Sequence, residues 1–568
     1  MTEPEARRVP GDALMDDLAR DLIRRHAELK SARGTWEAHW QELADFVRPQ
    51  RAEFTGPRTP GDRRNREIFD GTPGQAAESL AAGLWGMVTN AANQWFALSI
   101  DDPDLAAWQP VKEWLELAAE RMRSLFAHNG GQFYARVFEL YGDLATFGTG
   151  VFYSEDVIGG GYLRFSTRPL AEICVAEDHA GLVDTVFRAF RMTARQAVQR
   201  FGSDTVGDKI RDAVERQPDR AFPFLHAVLP AAEVGGSAGG QGAWASIYVD
   251  VTDRKMVRRG SFAEMPFQVP RWSTAAGEVY GRSPAMLALA DVKMLNQMAR
   301  TTIEAAHKAV NPPLIAFDDG VYRPMRLYPG SVNFGGVNQD GRALVQPLFT
   351  GSRVDIGLEM EEQRRGAIRE AFYFSLMQMV GRADMTATEV MARQEEKLRL
   401  LGPHLGRLQA EFLDPLIERV FAVMERNRAL PEPPAELEGY RLTIDYVSPL
   451  AKAQKASDGQ AMLRALESIA PLAQIDPTVV DNFDPDVLAR RLAEAWGAPA
   501  AILRGPDEVA ELRRQRAAAQ AAQQQMAMLQ QAAQAAERGA GAAQRLAATE
   551  GGTDLIRGLA GAVGGAGA

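Results

Sequence analysis

Two sequence patterns contain residue types that could perform chemistry. The segment 235–239, GGSAG, matches G-x-S-x-G, in which the serine is a nucleophile on a sharp turn between a strand and a helix. The flanks of Ser237 are polar and glycine-rich, so we expect a loop instead. The acidic pairs Asp101–Asp102 and Asp318–Asp319 could bind a metal. Neighbouring side chains point apart and aspartate favours turns, so we predict turns at both pairs.

The histidines and the single cysteine show no metal-ligand spacing. The seven histidines lie at positions 26, 39, 128, 179, 226, 307 and 404, with no pair four residues apart. Cys174 stands between Ile173 and Val175 and is predicted to be a small buried hydrophobic residue. Neither H-E-x-x-H nor the phosphate loop G-x-x-x-x-G-K-[ST] occurs. We therefore expect no catalytic, cofactor-binding or metal-binding residues and no enzyme.

The composition is that of a globular protein with several cores. The chain has 568 residues, of which 46% are hydrophobic and 24% charged, and one cysteine excludes an internal disulfide. Its net charge of −10 argues against tight binding of nucleic acid over the whole surface, although a conduit for DNA can be acidic. The acidic start predicts no export signal, and amides interrupt the apolar stretch 80–100, so we expect no membrane span.

The first half reads as mixed α and β. Residues 1–48 predict two helices separated at Gly34, and 111–126 and 132–141 predict two more. Strand patterns follow at 150–156, 162–166 and 182–192, and the alternation over 244–251 predicts a hairpin across Thr252 and Asp253. The segment 49–66 is polar and reads as an exposed loop, with phosphate binding as the less favoured interpretation. Its five arginines are Arg51, Arg58, Arg63, Arg64 and Arg66.

The second half is dominated by long helices. Ser283 followed by Pro284 predicts the start of a helix that ends before Asn311, and 354–377 predicts a second helix. Short strands and turns are expected between them, over 314–346. A capping box at 386–389 opens a long helix that Gly402 and Pro403 should kink.

The last third returns to helices after one strand. The strand is predicted over 441–447, and 456–496 reads as helices broken by prolines. An Ala/Gln-rich helix over 509–537 precedes a glycine-rich tail, which we expect to be loosely ordered.

Five strings of residues resemble one protein family. They are RGTWEAHWQELADFVRPQR, RNREIFDGTPGQAAESLAAGLWGMVTN, YGDLATFGTGVFY, GEVYGRSPAMLALADVKMLNQM and MTATEVMARQEEKLRLLGPHLGRLQAEFLDPLIERVF. In this order they are similar to the portal, or head-to-tail connector, family of short-tailed, podovirus-type bacteriophages. The resemblance covers about residues 15 to 500 and leaves out the glycine-rich insert near 235 and the last ~60 residues.

The resemblance implies a mainly α fold with an α+β wing, of the phage portal type. Its parts would be a wing (1–282), first stem helix (283–312), clip (313–350), second stem helix (351–378), channel loop (379–386), kinked wing helix with return strand (387–455) and crown (456–505). Residues 506–568 would form an accessory barrel or a partly ordered tail. Near the channel loop, Met377, Met379, Arg382 and Met385 are candidate channel-lining residues. The alternative is that the methionines are core residues and Arg382 pairs with Asp384.

The function implied by the resemblance is structural. Twelve copies would form a ring at one capsid vertex, around a channel for packaging and ejecting double-stranded DNA. The partners would be terminase, the major capsid and scaffolding proteins, and tail adaptor proteins, with no membrane. The protein would be part of the virion after assembly in the cytoplasm of the bacterial host. The alternatives are a DNA-processing nuclease with scattered carboxylates, or another ring-forming virion adaptor.

Overall fold

The chain forms two compact units in a computed structural model. The described residues are 10–56, 59, 61–157, 162–234, 242–316, 326, 328, 330–332, 337–338, 340–348, 354–377, 399–437, 439–440, 442–446, 459–469, 471 and 482–547. Unit 1 comprises Met1–Ser99, Leu117–Glu432 and Leu442–Gln460. Unit 2 comprises Ile100–Glu116, Pro433–Arg441 and Ala461–Ala568.

Helices make up most of the regular structure in the described residues. In chain order they are α1 (Pro10–Ala32), α2 (Gly34–Val47), α3 (Thr72–Val88), α4 (Pro103–Ala107), α5 (Gln109–Ala127), α6 (Phe133–Phe147), α7 (Ala194–Phe201), α8 (Asp208–Arg216), α9 (Pro284–Val310), α10 (Val354–Ala371), α11 (Phe374–Met377), α12 (399–408), α13 (Asp414–Arg426), α14 (459–469), α15 (Pro485–Ala495) and α16 (Pro506–Ala547). A π-helical turn, Gln409–Leu413, joins α12 to α13. None of the described helices is both long and apolar enough to cross a membrane.

Twelve strands in the described chain form four sheets. They are β1 (Phe96–Ile100), β2 (Phe152–Val157), β3 (Tyr162–Thr167), β4 (Ile173–Glu177), β5 (Val183–Thr193), β6 (Ala221–Pro230), β7 (Trp244–Asp250), β8 (Lys255–Phe262), β9 (Phe267–Gln268), β10 (Leu314–Ala316), β11 (Val345–Pro347) and β12 (Leu442–Tyr446). The sheet orders are β1-β12, β10-β11, β3-β2-β9 and β4-β5-β6-β7-β8. The largest sheet is an antiparallel meander, as its sequential strands pair with their neighbours.

The five-stranded sheet has a hydrophobic core on each face. On one face, Ala19 and Leu22 of α1 pack with side chains such as Phe187, Leu225 and Ile247. On the other, α7 and α8 cover a second cluster that includes Phe224. Successive residues of a strand point to opposite faces, so a strand covered on both sides can be apolar throughout.

Several predicted elements are confirmed, and four strands were missed. Helices α1 and α2 and the hairpin β7–β8 occur where the sequence predicts them. Strands β1, β4, β6 and β9 were not predicted. The inner strand β6 is almost continuously buried, so it lacks the polar–apolar alternation of a half-exposed strand.

Helix α9 begins as its sequence predicts. The Oγ atom of Ser283 accepts a hydrogen bond from the Met286 amide at 3.0 Å and donates one to the Thr146 carbonyl at 2.8 Å. Pro284 occupies the first helical position, where no backbone hydrogen bond is lost. The helix ends at Val310, and its buried face includes Ala288, Leu295 and other apolar residues.

The second predicted long helix is interrupted. The sequence predicts one helix over 354–377, but α10 ends at Ala371 and α11 begins at Phe374. Tyr373 has φ +55°, a left-handed conformation that a bulky residue seldom adopts, while Phe372 is fully buried. Packing of Phe372 therefore accompanies a backbone turn that the helical pattern does not predict.

The long helix after residue 398 contains a π-helical turn that the sequence does not predict. Gly402 and Pro403 lie within the α-helical segment 399–408, whereas the π-helical turn begins at Gln409. The predicted capping box at 386–389 lies outside the described residues, as do Asp318–Asp319 and the motif at 235–239.

Unit 2 contains its own network of hydrogen bonds. The Gln109 amide group donates to the carbonyls of Ala500 (2.6 Å) and Leu503 (2.8 Å), and the Ala500 amide donates to Glu116 at 2.8 Å. Asp102 caps α4 by accepting from two backbone amides, so its carboxylate serves the backbone of a helix start. Helix α16 extends the predicted Ala/Gln-rich helix in both directions and is exposed along nearly all its described length.

Candidate functional site: the helix pair and its hairpin

Helices α9 and α10 pack together and are joined by a short sheet. Strand β10 follows α9 and β11 precedes α10, and the two strands pair antiparallel from Leu314↔Pro347 to Ala316↔Val345. The chain therefore leaves α9 and enters α10 through one hairpin. We call α9, β10, β11 and α10 the helix-pair module.

A charged residue lies inside the packing of the two helices. Glu361 of α10 is only 2% exposed, and its Oε1 atom accepts a hydrogen bond from the Thr302 hydroxyl of α9 at 2.6 Å. Its Oε2 atom accepts one from the Arg365 guanidinium at 2.9 Å. A buried carboxylate is tolerated when it is paired and hydrogen-bonded. The hydrogen bond between Glu361 and Thr302 therefore aligns the two helices through specific partners.

Arg365 also connects the module to the loop that precedes α3. Its Nε atom donates to Oδ2 of Asp70 at 2.9 Å. Burial would raise the pKa of Asp70, but hydrogen bonds from Thr72 and Arg365 outweigh it and hold the pKa below its ordinary value. Burial likewise opposes the charge of Arg365, whose pKa is nevertheless raised by the hydrogen bond to Asp70. The loop and the module are thus joined by an ion pair, and the pKa shifts of Asp70 and Arg365 both favour the charged form.

The module presents apolar side chains to solvent. On α9, Leu287 is 79% exposed and Met294 is 49% exposed. These residues are seven positions apart, which is about two helical turns, so they lie on the same side of the helix. Further exposed apolar residues of the module are Ile303, Val310, Leu314, Ile315, Leu358 and Met360. The exposed apolar strip formed by Leu287 and Met294 is typical of a protein interface.

One of the four predicted channel-lining residues is described, and it lies against α3. Met377 ends α11 and is partly buried, and a Cβ added to Gly83 of α3 would collide with its Sδ atom. Gly83 therefore provides the space that Met377 occupies. Met379, Arg382 and Met385 lie outside the described residues, as does Asp384, the alternative partner of Arg382.

Two buried arginines fix the helices that follow the module. Arg271 is 4% exposed and donates to Glu411 of the π-helical turn at 2.8 Å, and it also pairs with Glu177. Arg419 of α13 is 2% exposed and donates to the Ser154 hydroxyl at 2.8 Å. Burial lowers the pKa of Arg419, with the charge of Glu264 opposing that effect. Sequence reasoning missed both arginines, because nothing local distinguishes a buried arginine from an exposed one.

Two other residues considered for chemistry, Cys174 and His226, are packing residues. Cys174 is fully buried in the sheet core, as predicted. His226 is buried, its ring stacked on Tyr248 at 3.9 Å between centroids, and its Nε2 atom lies 3.0 Å from the Ser246 hydroxyl. Burial lowers the pKa of His226 well below its ordinary value. In the part of the chain that the structure describes, no three histidine, cysteine, aspartate or glutamate residues group as metal ligands.

The arginines of the predicted exposed loop have different environments. Arg51 is 17% exposed and lies 3.4 Å from the carboxylate of the buried Asp143, to which Arg48 also donates at 2.8 Å. Burial raises the pKa of Asp143, and these two arginines oppose that effect. Arg51 is therefore a packing residue, contrary to the expectation of a solvated loop. Arg58 lies outside the described residues, and Arg63 and Arg66 are exposed as predicted.

Comparison with known proteins assigns the chain to a class. A family model described as bacteriophage head to tail connecting protein matches residues 19–503. The chain is 34% identical over 537 residues to the portal protein of Salmonella phage epsilon15, covering 91% of this chain and 94% of that protein. It is 32% identical over 533 residues to the probable portal protein of Bordetella phage BPP-1, with the same coverages.

The chain therefore belongs to the bacteriophage head-to-tail connecting protein family, as its sequence resemblance indicates. One relative is named a portal protein and the other a probable portal protein, so the class is that of proteins that connect the bacteriophage head to the tail. A solved structure titled "Neck of native GTA particle computed with C12 symmetry" is 14% identical, with a TM-score of 0.33, covering 70% of this chain and 87% of that chain.

Proposed function

We propose that twelve copies of this chain form a ring at one capsid vertex, around a channel through which double-stranded DNA is packaged and ejected. The observation that carries the proposal is the exposed apolar side of α9, formed by Leu287 and Met294, in a member of the connector family. Exposure of Leu287 and Met294 costs free energy in an isolated chain, and contact with a neighbouring copy removes that cost.

We propose the parts of the ring by matching the order of the elements to the resemblance. Helices α9 and α10 form the stem, and the segment 313–350 with the hairpin β10–β11 forms the clip, where terminase and tail adaptor proteins dock. Residues 1–282 and 387–455 form the wing, 456–505 form the crown, and α16 is an accessory extension. Capsid and scaffolding proteins contact the outside of the ring. Assembly takes place in the cytoplasm of the bacterial host.

Electron microscopy of the purified protein tests ring formation. We expect negative-stain class averages to show rings with a central hole and twelve-fold symmetry. A double variant, Leu287→Glu with Met294→Glu, should remain monomeric while keeping the helix content seen by circular dichroism. Leu182→Glu is the matched control, because Leu182 is 58% exposed in the turn between β4 and β5, and its replacement should leave the rings intact. Monomers of the unchanged chain at all concentrations would contradict the proposal.

A second experiment tests the channel loop. We propose that 379–386 lines the channel, with Met379, Arg382 and Met385 nearest the DNA and Met377 just before the loop, because methionine makes soft contacts and arginine pairs with phosphate. Replacing residues 378–385 by a glycine–serine linker should reduce packaging or genome retention in assembled particles. Unchanged packaging and retention would show that these residues do not line the channel.

A further inference from the structure

The loop before α3 contains a group of arginines without internal partners. Arg63, Arg64 and Arg66 occur within four residues of a chain whose net charge is −10. Arg63 and Arg66 are exposed, and none of the three has a hydrogen bond or ion pair with another described residue. The charge of Arg64 reaches Asp45, where it opposes the burial that raises the pKa of that carboxyl. We call Arg63, Arg64 and Arg66 the arginine loop.

The backbone next to the arginine loop is held on helix α9. The side chain of Asn296 donates to the Glu67 carbonyl at 2.7 Å and accepts from the Phe69 amide at 2.7 Å. One residue further on, Asp70 accepts from the Thr72 amide at 2.8 Å and pairs with Arg365. These contacts order the chain beside Arg66, so less conformational entropy is lost when the arginines bind a ligand.

Two further cationic side chains of α9 lie on either side of Asn296. Lys293 and Arg300 are one turn before and after Asn296, and their side chains are 51% and 50% exposed. Each has one exposed acidic partner, Glu42 and Glu304 respectively, and Arg300 also lies over the Phe69 ring at 5.7 Å. The arginine loop thus continues into a surface where guanidinium and ammonium groups remain accessible.

We propose that the arginine loop binds the phosphate backbone of duplex DNA without reading its sequence. Guanidinium groups match phosphate oxygens geometrically and stay charged at all working pH values. Asp62 and Glu67 bracket the three arginines and limit the attraction to a few phosphates, which suits a weak contact on a DNA conduit. The inference rests on the proposed function, since it names residues of a DNA-handling protein that would meet its cargo.

Salt-dependent binding measures the contact. The unchanged chain and the variant Arg63→Gln, Arg64→Gln, Arg66→Gln are titrated with a short fluorescent DNA duplex of mixed sequence at a series of salt concentrations. Loss of three phosphate contacts should reduce the slope of log K against log salt by about 2 to 3. Arg195→Gln, Arg216→Gln, Arg254→Gln is the matched control. It removes the same charge from exposed positions on α7, on α8 and in the β7–β8 turn and should leave the slope unchanged.

Three outcomes would overturn the inference. The first is an unchanged slope in the arginine-loop variant, and the second is an equal reduction in the control. The third is that the unchanged chain binds a polyglutamate peptide and the arginine-loop variant does not, while DNA binding stays intact in the variant. That result would indicate an acidic protein partner. Electron microscopy of the same samples separates a failure of the proposed ring function from a failure of the proposed DNA contact. Absence of rings would contradict the proposed function, whereas rings that bind DNA equally well with and without the arginine loop would contradict this inference alone.

Discussion

The five-stranded sheet and helix α16 differ in what covers their side chains. The sheet has a buried apolar cluster on each face, built from its own strands and from α1, α7 and α8. Helix α16 spans 42 residues, and Met526, Met528 and Leu529 are each at least 68% exposed. The sheet is therefore stabilised by burial within one chain, while α16 relies on the helix propensity of alanine and glutamine.

The contrast extends to charged side chains. In unit 1, Arg419 and Arg271 are almost fully buried and hydrogen-bonded to several groups. In unit 2, Arg513 pairs with Asp486 at 2.6 Å, but both side chains are largely exposed. Exposed pairs contribute little because water and salt screen them, whereas removing one member of a buried group leaves its partners unsatisfied. Substitutions should therefore have much larger effects in the sheet region than on α16.

The largest effect is expected for the sheet core. Phe187 is fully buried in the cluster beneath α1, so Phe187→Ala removes packing and leaves a cavity. We expect the free energy of unfolding to fall by about 3–5 kcal/mol, measured by urea denaturation followed with tryptophan fluorescence. A loss below about 1 kcal/mol would mean that the core collapses around the missing ring.

A buried arginine should come next. Arg419→Ala leaves the Ser154 hydroxyl and the Glu264 carbonyl without their donor, so a loss of about 3 kcal/mol is expected in the same denaturation assay. Arg426→Ala is the control, because Arg426 also pairs with Glu264 but its side chain is 48% exposed. Equal losses in the two variants would show that burial does not determine the contribution of these arginines.

A third prediction concerns pH. Burial keeps His226 neutral when folded, whereas unfolding restores an ordinary pKa near 6.5, so only the unfolded chain takes up this proton just below that pH. The contribution of His226 to the free energy of unfolding should have its full value above pH 6.5. Below that pH it should fall with a slope of about 1.4 kcal/mol per pH unit. His226→Gln should remove this slope. Tyr248→Phe should keep it, since the stacked ring remains.

His26 affects the same measurement. Burial lowers the pKa of His26 to about 4, and it contributes a slope of the same sign. The quantity to compare is therefore the difference in slope between the unchanged chain and His226→Gln, from denaturation midpoints between pH 7 and about 5. An identical slope in both would place the proton uptake on other groups.

The smallest effect is expected on α16. Met528 is 71% exposed, so Met528→Ala should change the free energy of unfolding by less than about 0.5 kcal/mol. The assay is the one used for Phe187→Ala. A loss comparable to that of the core substitution would show that α16 is covered in the assembled protein, and its dependence on protein concentration would identify a second copy as the cover.

Local signals predicted the elements that depend on neighbouring residues. The cap at Ser283, the end of α9 before Asn311 and the turn of the β7–β8 hairpin all lie where their residue types indicate. Strand β6 was missed because burial on both faces erases alternation, and the turn at Tyr373 was missed because the local helical pattern does not show that Phe372 is buried beside it. The π-helical turn likewise places Glu411 against Arg271, which is 140 residues away in the chain.

By itself the sequence determined the family, the long helices and the absence of familiar catalytic motifs, because these depend on residue order and short-range spacing. Only the tertiary structure decided which charges are buried. Arg51 and Arg419 have partners far along the chain, whereas Arg63 and Arg66 have none among the described residues. The physical reason is that the energy of a charge depends on its solvent exposure and on its neighbours in space, and local sequence specifies neither.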